Sequence, residues 1–177
     1  MEIHRFEKAW LGAGLLLIVG LIVTIVYGAT GPGIAMVNDQ GGQVDSTDIQ
    51  NANYNATDGF ESPGVRKVGE NEYTVHVVAK QFLFEPGTNE PIQVPAGSEV
   101  TFYVTSADVV HGFQLVGTNV NTMVIPGQVA EFTTRFEETG EHGIVCHEYC
   151  GAAHHTMAGT IEVVPQSEFN ESTLEGT

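Results

Sequence analysis

Between Cys146 and Met157 the sequence reads CHEYCGAAHHTM, which places two thiols, an imidazole and a thioether (Cys146, Cys150, His154 and Met157) within twelve residues. Thiolates, imidazoles and thioethers are soft or borderline ligands, and together they select copper over magnesium or calcium. The thioether is also foreign to an ordinary structural zinc site, which takes four Cys or His ligands. His111, in the run DVVHGF at 108–113, can complete the site from a second element. Two cysteines four positions apart on one loop can both reach a pair of copper ions. Bridging thiolates would hold the metals close enough to share one unpaired electron, so each redox change is spread over both metals and both sulfurs. One imidazole per copper, His111 and His154, then closes each coordination plane. Met157 and the backbone carbonyl of Glu148 are placed as weak axial ligands that tune the potential.

Two other readings of these residues stand beside this one. Cys146 and Cys150 can close a structural disulfide if the domain lies outside the membrane, although a disulfide requires neither His154 nor Met157. Tetrahedral zinc can take Cys146, Cys150, His154 and His111. His147 and His155, next to the proposed ligands, read as exposed imidazoles, and His4, His76 and His142 as surface or interfacial side chains.

Such ligands need rigid supports on either side. The strand-like Gly143-Ile-Val145 leads directly into Cys146, and the stretch from about 71 to 165 is a succession of short β-rich runs: YTVHVVAKQFLF, EVTFYVTS, HGFQLVG, AEFTTRF, MAGTIEVVP. Alternation in AEFTTRF puts Phe132, Thr134 and Phe136 on one face and Glu131, Thr133 and Arg135 on the other. Several such runs divided by turn residues predict an all-β sandwich or barrel of roughly 100 residues. Residues 30–70, rich in Gly, Asn, Asp and Ser and without periodicity, read as a linker outside the membrane, and residues 166–177 as a loose acidic tail.

Ala9 to Ala29 carries no charge, and at about 1.5 Å per residue its 21 residues reach roughly 31 Å, enough to cross a hydrocarbon core. It reads as a transmembrane helix retained as an anchor in membrane lipid; a cleaved signal peptide would have a shorter apolar region. Trp10 and Tyr27 lie near its ends, and Arg5 and Lys8 precede it while no Lys or Arg follows before Arg66. That asymmetry predicts residues 1–8 in the cytoplasm and the bulk of the chain outside.

The formal net charge is −16. Of 22 acidic residues, Glu2 and Glu7 precede the apolar stretch and are balanced by Arg5 and Lys8, so the other 20 face only Arg66, Lys67, Lys80 and Arg135. An acidic surface excludes nucleic acid as a partner. The acids are dispersed from Asp39 to Glu175, which reads as a halophilic surface that stays soluble in strong salt rather than as a steering patch, since screening shortens steering to roughly 3 Å at 1 M.

The pattern C-x-E-x-C-x3-H-x2-M at 146–157, preceded by DVVHGF and by one apolar helix, resembles subunit II of haem-copper cytochrome c oxidases, the chain that carries the binuclear CuA centre. The resemblance implies a cupredoxin-like Greek-key β-sandwich over 71–165. It implies copper ligands His111, Cys146, Glu148 through its carbonyl, Cys150, His154 and Met157. It is closest to the B-type branch, whose subunit II has a single helix, and Phe6-Glu7-Lys8-x-Trp10-Leu11 is similar to that branch. It also implies the role: electrons pass from an external donor, a cytochrome c or a small blue copper protein, to haems in subunit I, which reduces dioxygen to water.

Two further residues take roles from the resemblance. Glu7 matches a glutamate at the mouth of a proton-conducting path, its other reading being a solvated helix-start carboxylate. The Glu148 side chain would offer a ligand to magnesium at the boundary with subunit I. The chain departs from the family in having Trp10 as its one tryptophan, none near the copper ligands. Phe82 and Phe84 occupy the comparable aromatic stretch and read as alternating strand positions. The alternative function is a membrane-tethered copper chaperone, which also uses a C-x3-C pair and a distant histidine but requires a thioredoxin-like α/β fold.

Overall fold

The computed structural model describes residues 4–30, 36–38, 41–51, 59–171 and 174. The chain divides into two units, Met1–Ile34 and Ala35–Thr177. The first is the helix α1 (Arg5–Thr30), 26 residues long and with no buried side chain. Its apolar surface is exposed on every side, as expected of an element whose solvent is hydrocarbon. The helix begins four residues before the apolar stretch because His4 and Glu7 cap it reciprocally. The His4 N–H donates to Glu7 Oε2 at 2.9 Å while His4 Nδ1 accepts from the Phe6 N–H at 3.4 Å.

In the second unit the strands run β1 (Met36–Asn38), β2 (Gly64–Gly69), β3 (Glu72–Lys80), β4 (Leu83–Glu85), β5 (Ile92–Pro95) and β6 (Glu99–Ser106). They continue as β7 (His111–Leu115), β8 (Asn121–Val124), β9 (Ala130–Arg135), β10 (Gly140–Val145) and β11 (Ala158–Val164). A short helix, α2 (Ser46–Gln50), lies between β1 and β2. One sheet has the order β1-β9-β6-β3-β2, with β4 also on β3, and the other β5-β11-β10-β7-β8. Only β3 with β6 and β5 with β11 pair in parallel among the described strands. The chain crosses between the sheets after β4, β5, β6, β8 and β9, which makes a Greek-key β-sandwich.

Strand alternation builds the core between the sheets. Val75 and Val77 of β3, Phe102 of β6 and Phe132 of β9 face Phe113 of β7 and Ile144 of β10, all fully buried. Phe102 stacks on Phe132 at 5.0 Å and leans on Phe113; each such side chain contributes about 1.5–3 kcal/mol by leaving water. Phe132 and Thr134 of β9 and Phe136 just after it are buried on one side, as the alternation predicts.

The outer face of β3 is covered too. Val78 packs with Ile49 of α2, Phe60, Ala107 and Val129 in a second cluster. The polar stretch 30–70 therefore differs from a plain linker in its described part: it supplies β1, α2 and β2 to the sandwich. Two isolated apolar residues, Ile49 and Phe60, are the fully buried side chains of that part. The stretch also buries His76, which the sequence reading placed at the surface or an interface; the ring stacks on Tyr103 at 4.9 Å, and Phe60 meets it edge-on at 5.0 Å. Part of the acidic tail is likewise engaged: Phe169 packs edge-on against Tyr73, and Lys67 Nζ donates to Glu171 at 2.5 Å.

Candidate metal centre

The ladder between β10 and β11 ends where Val145 pairs with Ala158. One step beyond, the Cys146 N–H donates to the Met157 carbonyl at 3.2 Å, closing residues 146–157 into a loop with a pinned neck. Within it, the N–H groups of His154 and Met157 donate to the carbonyls of Gly151 and His154, winding 154–156 into a single 3-10 turn. His111 opens β7, which neighbours β10 in the same sheet, so its ring reaches the loop from the side.

These supports bring the six sequence-predicted ligands together. The Cys146 and Cys150 sulfurs are 3.8 Å apart and unbonded. His111 Nδ1 lies 3.9 Å from the Cys146 sulfur, and His154 Nδ1 3.6 Å from that of Cys150. The Met157 sulfur stands 3.7 Å from Cys150 Sγ, and the Glu148 carbonyl oxygen 3.2 Å from Cys146 Sγ. Ligand atoms of His111, Cys146 and Cys150 all fall within 4.8 Å of one another. His111, both cysteines and Met157 are buried, and the three sulfur residues belong to the main apolar core. His154 is half-buried at the rim, where the exposed ring of Tyr149 lies 5.9 Å away.

Two residues that the sequence reading did not assign to the site organise it from behind. Asp108 Oδ1 lies 2.7 Å from His111 Nε2, while Gln81 donates its backbone N–H to Asp108 Oδ2 at 2.8 Å and its side-chain amide to the Cys150 carbonyl. Burial pushes the Asp108 carboxyl up, but the hydrogen bonds from His111, Gln81 and Val109 outweigh it and leave the group below its ordinary value. For Cys150, burial and then the neighbouring Cys146 push the thiol up to about 11. The Gly112 N–H points at Cys146 Sγ from 3.5 Å. Asp108 was visible as the third residue before His111; nothing local marks Gln81.

Other residues singled out by sequence take different places. Phe84 is buried and meets Phe113 edge-on, while Phe82 is half-buried. His147 and His155 are exposed; His142 is half-buried and leans on Phe136. Glu7 is engaged in the cap of α1.

Residues 70–164 match the family described as cytochrome c oxidase subunit II, periplasmic domain. The cytochrome c oxidase subunit 2 of Thermus thermophilus is 35% identical over 161 residues, which span 91% of this chain and 93% of that one. The chain belongs to the cytochrome c oxidase subunit II family. Among solved structures, a chain of a heme-copper terminal oxidase dimer superposes with a TM-score of 0.58 at 34% identity, covering 90% of this subunit II chain and 100% of that chain. The periplasmic domain of subunit II from Bradyrhizobium japonicum superposes with a TM-score of 0.50 at 26% identity, over 54% of this chain and 86% of its own. Subunit II is a component of an oxidoreductase complex, and one apolar helix beside a periplasmic-type domain fits a single-pass membrane protein.

The donor set of this subunit II suits copper. Three sulfurs, two imidazole nitrogens and a carbonyl are softer and more numerous than the four donors of tetrahedral zinc, and the free thiols stand beyond S–S bonding distance. The all-β sandwich is also not the α/β architecture that a thioredoxin-like copper chaperone requires.

Proposed function

We propose that this subunit II is the electron-accepting subunit of a haem-copper terminal oxidase. It takes single electrons from a donor outside the membrane, a cytochrome c or a small blue copper protein, and delivers them to a haem-bearing subunit I that reduces dioxygen to water. The observation that carries this reading is the convergence of two facing thiols with one imidazole nitrogen beside each sulfur. Cys146 and Cys150 would bridge a pair of copper ions, the CuA centre. His111 and His154 would close one plane each, and Met157 and the Glu148 carbonyl would be weak axial ligands. Such a pair supplies one-electron exchange spread over both metals and both sulfurs.

The chain's own part is to hold and to shield. Packing Cys146, Cys150 and Met157 into the apolar core keeps water from the sulfurs and fixes their rotamers. Asp108 fixes the His111 ring, and the Gly112 N–H favours negative charge on Cys146.

Finer assignments complete the proposal. The helix spans the membrane with residues 1–8 in the cytoplasm, on the charge asymmetry around it. The domain limits are 9–29 for the membrane helix, 30–70 for a connecting segment whose described part packs on the copper domain, 71–165 for the copper domain itself and 166–177 for the tail. The single helix and the start of the chain support the B-type branch, in which Glu7 would sit at the mouth of a proton path. The Glu148 carboxylate would offer itself to magnesium at the subunit I boundary. The dispersed acidic surface supports function in strong salt.

The test is to load the full-length chain in detergent with copper and record its electron paramagnetic resonance spectrum. Hyperfine structure from one electron shared equally by two copper nuclei is expected; the spectrum of one isolated copper overturns the assignment.

A further inference from the structure

Gln81, in the turn between β3 and β4, touches both halves of the metal centre while ligating neither. Its backbone N–H donates to one oxygen of Asp108 at 2.8 Å, and the other oxygen of that carboxylate meets His111. Its side-chain amide donates to the carbonyl of Cys150. The next residue, Phe82, forms a floor under the same stretch: a Cβ at Gly151 would stand 3.1 Å from the Phe82 ring and 2.7 Å from Gln81 Nε2. A Cβ there would press on the Phe82 ring, and the φ of +132° at Gly151 asks for glycine.

His111 and Cys150 belong to different segments, the start of β7 and the loop after β10. The loop's neck pins Cys146 and Met157, but Cys150 sits four residues from the nearer end. Gln81 supplies the support that the neck does not reach. We propose that Gln81 is a positioning residue that couples the two ligand-bearing segments, holding the Cys150 end of the loop against the Asp108–His111 pair. Moving either segment alone then breaks a hydrogen bond to the same residue. A site that exchanges electrons with little rearrangement needs ligands that keep their places, and this tie would provide it. The role rests on the copper ligand assignment above, but the tie itself exists in the metal-free chain and can be read there.

The experiment compares full-length wild type, Gln81→Met and Gln81→Lys in detergent. Methionine keeps the reach and the backbone N–H but has no amide donor; lysine keeps a donor. In the metal-free chain, amide hydrogen exchange of residues 147–153 is expected to rise about tenfold in Gln81→Met, as for the loss of one restraining hydrogen bond. Exchange in β3 and β6 should stay at the wild-type level. Gln81→Lys should recover most of the protection, and Ile49→Val, which loosens the second cluster instead, should leave 147–153 unchanged. With copper bound, Gln81→Met should release the metal to a chelator several-fold faster than Ile49→Val. Wild-type exchange in Gln81→Met, or a uniform rise over the whole domain, overturns the proposal. A wild-type chain that binds no copper pair would overturn the functional reading and leave the exchange result standing.

Discussion

The Nε2 of His111, a ring with 0% exposure, lies 2.7 Å from Asp108 Oδ1. With that nitrogen engaged, Nδ1 is the atom left to face Cys146, so the carboxylate decides both the tautomer and the direction of the ring. Asp108→Ala should therefore weaken copper retention by roughly 10- to 100-fold, the usual cost of removing the group that orients a ligating histidine. Competition with a calibrated chelator measures it, and wild-type retention would show that packing alone holds His111.

Cys150→Ser and Met157→Leu separate bridging from tuning. Removing the Cys150 sulfur should leave at most one copper, visible as a mononuclear spectrum. Met157→Leu conserves volume at a buried position and should cost less than about 1.5 kcal/mol of stability. It should keep the two-copper spectrum and shift the potential. Loss of all copper from Met157→Leu would make the thioether more than a weak ligand.

His76 makes stability depend on pH. Burial first, and then the Arg66 guanidinium whose Nη1 donates to His76 Nδ1 at 2.7 Å, lower its pKa from 6.5 to about 4, with Glu61 pulling the other way. Between those values the unfolded chain binds a proton that the folded chain refuses. The contribution is complete above pH 6.5 and lost as pH falls toward 4, by about 3 kcal/mol over the whole window. Denaturant titrations at pH 7 and pH 4.5 should show the loss, and His76→Gln should flatten it; equal slopes would place the acid sensitivity elsewhere.

Phe60 tests whether the polar stretch belongs to the domain. It is buried against Val78, Ala107 and Val129, so Phe60→Ala should cost about 3–5 kcal/mol. A fragment that starts at residue 70 loses Phe60 and Ile49 together and should melt below one that starts at residue 36. Equal melting temperatures by calorimetry would return the stretch to the status of a tether.

What could be read from the sequence followed from how local the information was. Cys146, Cys150, His154 and Met157 are fixed by spacing in one loop, and the strands by alternation, as at Phe132, Thr134 and Phe136. Asp108 stands three residues before His111 and was open to a local reading, whereas Gln81 acts through contacts that exist only once the chain has folded, and no local pattern announces it. Ile49 and Phe60 are single apolar residues in a polar stretch, too sparse to set a period. The cover they place over β3 explains why His76, ordinary in sequence, is buried.

The pinned neck between Cys146 and Met157 makes the number of residues between them a fixed quantity. The strands on either side are locked into their ladder, so an added or deleted residue cannot be absorbed by sliding the ladder and must displace a ligand instead. The exposed positions Tyr149, Ala152 and His155 can change in kind, whereas the His147 ring lies over Gly112. Variation among related loops should accordingly appear as substitutions at constant length, with the surface met by a donor changing while the interior spacing does not.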